Sequence, residues 1–166
     1  MWTLYIIFAI VGGPLTLFLH EFAHCIPVWV YGGKVVSFKP WPHVGDKGRE
    51  LVGAMKHRTT LKNLPSAMEF SSWFYSVPLI RAILFAVVFL LMGMFVHYSF
   101  FVLAFFELLD VGNWWRGYFQ ILWSDPLHDG ARFKRFFIIF RALKKYPQMA
   151  TAFAKILKEE SEAKEK

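Results

Sequence analysis

Two stretches free of Asp, Glu, Lys and Arg constrain this chain more than anything else in its sequence. They are Met1 to Leu19 and the 25 residues from Ala82 to Phe106. A helix rises about 1.5 Å per residue, so about 20 apolar residues carry it across roughly 30 Å of hydrocarbon. A soluble domain of 166 residues has too little interior to surround two such helices. Composition agrees, with 56% hydrophobic and 19% aromatic residues. The sequence therefore reads as an all-α membrane protein in a lipid bilayer. The first run lacks the basic start and small-residue cleavage pattern of a signal peptide, so it is expected to stay with the chain.

The net charge of +7 raises the question of nucleic acid. Its distribution answers no. Residues 33–75 hold seven Lys/Arg against three acids, and residues 128–166 hold ten against five. Basic segments flanking apolar spans are the mark of cytoplasmic loops, and no aromatic-basic platform lies outside the spans. If both basic regions share a side, an even number of crossings separates them. That gives three transmembrane helices with the N-terminus outside. The single Cys25 excludes an internal disulfide and a Cys-rich metal site.

Along the chain, residues 2–31 read as a first helix, broken or bent at Gly12-Gly13-Pro14 and again at Pro27, with Gly32-Gly33 as its stop. "KVVSFKPWP", the turn "GDKG" and "RELVGAMKHR" read as a small cytoplasmic β-hairpin. Residues 77–96 form the second span and 98–123 the third. In the third, Glu107, Asp110, Asn113 and Arg116 are expected to face the bundle interior or water, because a charge at the bilayer centre costs at least about 2.5 kcal/mol. After Pro126, apolar residues at 133, 136, 137, 140 and 143 recur at helical spacing among Lys and Arg, as in a C-terminal interfacial helix. Residues 1–150 make up the membrane-embedded core, and 151–166 a polar cytoplasmic tail.

Within the first greasy run stands "HEFAH": His20, Glu21 and His24. Residues four apart on a helix differ by about 40° in direction, so both imidazoles leave one face and can share one zinc ion. The glutamate between them can take a proton from a water activated there, an arrangement suited to amide hydrolysis. A shuffled chain with six histidines and eight glutamates would contain this pattern only about 0.01 times. Cys25 projects about 100° from His24 and reads as a packed side chain. His43, His57 and His97 read as loop or interfacial residues. His128 does too, although it adjoins a second motif.

"HEFAHCIPVWVYGGKVVSF" and "DPLHDGARF" together resemble the site-2 protease family of intramembrane zinc metalloproteases. The first is similar to the family's HExxH helix with its glycine turn and surface strand, the second to its Asp-Gly motif. The resemblance implies Zn2+ held by His20, His24 and Asp129, with Glu21 as general base. It also implies a transmembrane protein substrate and release of membrane-tethered factors. Asp110, in "LLDVGN", competes for the third ligand position, with Val111 where the family has glycine. "SVPLIR" carries Val77 for the glycine of the family's Gly-Pro pair and Arg81 where an asparagine would stand. No PDZ insertion is recognisable, which implies a minimal catalytic core. Two other classes are a catalytically inactive zinc-binding membrane scaffold and a small transporter. The intact Glu21 argues against the first, and three spans make a poor pore unless the chain forms an oligomer. The topology has a direct check. In a Cys25→Ala background, Lys47→Cys and Lys164→Cys are expected to label from the same, cytoplasmic side. Labelling from opposite sides breaks the three-span arrangement.

Overall fold

The computed structural model describes residues 2–44, 50–51, 54–119, 128–152 and 155. The expected turn at 45–48, the end of the third span, Pro126 and most of the polar tail lie outside the described residues. The rest is mostly helical with a small antiparallel ribbon. In chain order it comprises α1 (Trp2–Ala23), α2 (Cys25–Val30), β1 (Lys34–Lys39), β2 (His43–Val44), β3 (Glu50–Leu51) and β4 (Ala54–Arg58). Then follow α3 (Leu64–Phe95), α4 (Phe100–Phe119) and α5 (Asp129–Lys145).

Of the break or bend expected at Gly12-Gly13-Pro14, a break is not found: α1 runs through all three residues. Away from water, a proline strands one carbonyl, whereas a break strands several backbone groups. The glycine serves contact instead, since a Cβ on Gly12 would stand 2.4 Å from the Phe106 ring of α4. The interruption falls at His24, and Pro27 explains it. Proline offers no N–H to the carbonyl four residues back, on Ala23, and its ring crowds that carbonyl. Ala23 is where α1 ends. Gly32 then takes φ +69°, the left-handed geometry that closes α2 and turns the chain into β1.

The two flanking strands form where the β-branched segment and its return segment place them. β1 pairs antiparallel with β4 from Lys34↔Arg58 to Lys39↔Ala54, with an irregularity between Val35 and Ser37. β2 and β3 pair antiparallel as a separate two-stranded sheet, His43↔Leu51 and Val44↔Glu50. Phe38 of β1 packs edge-on against Phe18 and Phe22, which seats the ribbon on the end of α1 that carries the motif.

α3 begins at Leu64, well before residue 77 where apolar content alone placed the span. The side chain of Asn63 accepts the N–H of Ser66 at 2.9 Å, and Pro65 sits in the first turn, where its missing N–H has no role. Two stretches, Trp2–Val30 and Leu64–Phe95, are long and apolar enough to cross a membrane. In α4, Glu107 is buried and Asp110 half-buried, as expected of groups facing the interior, but Asn113 and Arg116 are exposed. They lie toward the end of the helix, where a polar head can reach water.

α5 docks across α3 and α4. Its first turn meets α4 backbone to backbone: a Cβ on Gly130 would stand 2.1 Å from the Trp114 carbonyl oxygen and 2.7 Å from the Tyr118 nitrogen. The Trp114 indole donates to the Tyr75 carbonyl of α3 at 2.8 Å, and Tyr75 stacks on Phe136 of α5. Gly130→Ala is therefore expected to cost about 1–3 kcal/mol or more, read as a lower midpoint of thermal unfolding. Gly112→Ala is the control. Nothing lies within 4 Å of a Cβ there, so it should hold or raise the midpoint.

Candidate metal centre

Three elements deliver the side chains of the motif to one point. His20 and Glu21 come from the last turn of α1, His24 from the α1–α2 junction, and Asp129 from the first residue of α5. His20 Nε2 lies 3.0 Å from Asp129 Oδ2, and His24 Nε2 lies 3.1 Å from the same oxygen. One ligand atom from each of the three residues falls within 4.8 Å of the others. Zinc bonds of about 2.0–2.1 Å at the tetrahedral angle place neighbouring ligand atoms about 3.3 Å apart. The two nitrogen–oxygen spacings are shorter than that by only a few tenths of an ångström, close to what such an ion requires of its donors.

The outer nitrogens fix how the rings present themselves. His24 Nδ1 is 2.8 Å from the Phe74 carbonyl oxygen, which can only accept, so Nδ1 carries the proton. His20 Nδ1 stands 3.0 Å from both oxygens of Asp110 and donates to that carboxylate. In neutral imidazoles the Nε2 atoms are then bare lone pairs. Two of them converge with a carboxylate oxygen, a cluster that repels itself unless a cation stands between. A proton on each ring can supply that positive charge, and so can a single metal ion. Histidines whose second nitrogen donates to a carbonyl or carboxylate are the usual partners of a metal.

Local sequence explains the placement. Pro78 has no N–H to offer the Phe74 carbonyl one turn back, which leaves that oxygen free for His24. The ring of His24 also stacks on the Phe74 ring, with centroids 4.5 Å apart. Asp129 opens α5, where the helix dipole favours negative charge, and Gly130 allows the close approach that brings it there. Burial opposes ionisation of Asp129. The charges of His24 and His20 and their hydrogen bonds outweigh that and hold its carboxyl well below the usual carboxylate range. Glu21 is nearly buried beside the cluster, and no protein group among the described residues hydrogen-bonds it.

Of the sequence-predicted residues, His20, Glu21, His24 and Asp129 come together, and Asp110 sits behind His20 rather than beside the Nε2 atoms. Cys25 is a buried packing residue. His57 packs between Phe70 and Phe74, and burial lowers its pKa. His97 stacks on Tyr98 beside the start of α4. The Cβ of His128 covers Gly117. For His43 only the backbone is described. Sequence reasoning missed the Phe74 carbonyl and the bridge from Arg81 to Glu107 and Asp110. A proline inside an apolar span, and an arginine one span away from two acids, were the available signals.

No protein-family model, curated protein or solved structure matches the chain. Its chemistry rests on its own geometry. Pro78→Ala restores an N–H for the Phe74 carbonyl and so competes with His24 for it. For a zinc ion held at this point, affinity is expected to fall about 10-fold or more in a competition titration, with α3 at least as helical by circular dichroism. Unchanged affinity would show that the carbonyl does not orient His24.

Proposed function

We propose that this chain is an intramembrane zinc endopeptidase that cuts transmembrane segments of other membrane proteins. The observation that carries this reading is the convergence of His20 Nε2, His24 Nε2 and Asp129 Oδ2 on one point, with the uncommitted Glu21 carboxylate beside it. In this reading His20, His24 and Asp129 are the zinc ligands, and Asp110 backs His20 from the second nitrogen.

A zinc ion held there by His20, His24 and Asp129 would supply Lewis acidity, making a water more acidic and a scissile carbonyl more electrophilic. Glu21 takes the proton of the attacking water and passes it to the leaving amine, a transfer that needs a carboxylate free of structural bonds. The Phe74 carbonyl and Asp110 keep both rings turned toward the reaction. Among the described residues no third strand pairs with the β1–β4 ribbon, which suits pairing with an unwound, extended substrate strand.

The membrane setting has its own support. Large apolar side chains face outward along α1 and α3, among them Trp2, Ile10, Leu84 and Phe95, as suits a lipid surround. Counting α4 as a third crossing returns the chain to the side where His24 and the basic hairpin lie, in keeping with a cytoplasmic hairpin and tail and an outer N-terminus. The inward-facing Glu107 and Asp110 are bridged by Arg81, which favours a closed structural network over a transport path. The free carboxylate of Glu21 favours an enzyme over an inactive zinc-binding scaffold.

The test is a pair of variants in the purified chain, assayed for zinc content and for cleavage of a transmembrane substrate with and without chelator. Glu21→Gln is expected to retain zinc and lose cleavage. His24→Ala is expected to lose zinc. Loss of zinc with Glu21→Gln would make Glu21 structural, and full zinc occupancy in His24→Ala would remove the motif as the binding site.

A further inference from the structure

The centre is backed by a charge network that crosses three helices. Arg81 of α3 donates from one terminal nitrogen to Glu107 Oε2 and from the other to Asp110 Oδ2, both on α4. Thr16 of α1 donates its hydroxyl to Glu107 Oε1 at 3.1 Å. Asp110 turns both of its oxygens to His20 Nδ1, each at 3.0 Å. Glu107 and Asp110 are three residues apart and so share one face of α4. A planar guanidinium has the fork to bridge two carboxylates at that spacing, whereas an ammonium is a single point of charge.

The consequence reaches the cluster. A carboxylate side chain is free to turn, and Asp110 alone could leave Nδ1 or swing toward a cation at the Nε2 side. Arg81 anchors one of its oxygens, and Glu107, itself tied to Thr16, fixes Arg81. Asp110 is thereby kept on the outer nitrogen, and Nε2 is left as the lone pair facing Asp129. We propose that Asp110 and Arg81 are positioning residues: Asp110 sets the Nδ1–H form of His20, and Arg81, braced by Glu107, sets Asp110. This rests on the metal-centre part of the proposed function and is independent of what the enzyme cleaves.

The experiment uses the full chain in lipid nanodiscs, with zinc affinity from chelator competition and the ring proton located by nitrogen-15 NMR of labelled histidine. Asp110→Ala is expected to weaken zinc binding 10–100-fold and to shift His20, but not His24, from the Nδ1–H form to a mixture. Asp110→Asn keeps an accepting oxygen and should recover part of the affinity and most of the Nδ1–H form. Arg81→Lys should lie between wild type and Asp110→Ala, because one ammonium cannot hold both carboxylates in the guanidinium's geometry. Where Asp110→Ala fails to fold, Asp110→Asn and Arg81→Lys carry the comparison. Wild-type affinity and an unmoved His20 proton in the folded variants would overturn the positioning role. A wild type that binds no zinc overturns the metal centre and this role together. A wild type that binds zinc but cleaves nothing removes only the peptidase reading.

Discussion

In the interior of this bundle, charged side chains are answered by one another across helices, because little water is there to do it. Asp129 meets two imidazoles, His20 meets a second carboxylate on its far side, and Arg81 meets two acids. Leaving any of these groups unpaired away from water costs far more than a surface charge does. The helices are consequently not free to slide. α1, α3, α4 and α5 must meet at the register where every pair closes, and apolar packing fills in around that register.

The same demand makes the backbone part of the site. Proline within a helix normally wastes an acceptor. Here the freed Phe74 carbonyl is spent on His24, so a defect in α3 becomes the orienting partner of a ring on another helix. Gly130 works by the opposite means. It removes a side chain so that the first turn of α5 can press on the backbone of α4. Asp129, one residue earlier, is carried to the cluster by that contact. Asp-Gly is thus two functions in sequence, an oxygen for the centre and a clearance for the helix that presents it.

Much of this architecture is legible along the chain. The first charge-free run marks α1 and the second straddles the turn between α3 and α4, the β-branched "KVVSF" marks the strand, and the four-residue spacing of His20 and His24 puts both rings on one face. These are local properties, fixed by helix and strand geometry within a few residues. Where local reading failed, a long-range contact or a cap had prevailed. α1 runs through Gly12-Gly13-Pro14, with Gly12 fitted against Phe106 of α4. α3 starts early because Asn63 caps it in a segment that apolar content undervalued.

The sequence by itself determined the membrane-like composition, the ribbon, the paired histidines and the glutamate between them, all set by neighbours in the chain. The tertiary structure decided which distant aspartate joins them. Asp110 and Asp129 lie 90 and 109 residues from His20, and both reach its ring, one at each nitrogen. No spacing rule separates those two outcomes, since the choice depends on the approach of α5 to α4 and on Arg81 holding Asp110 behind the ring. A motif names the chemical groups, and only packing decides which lone pairs face the same point.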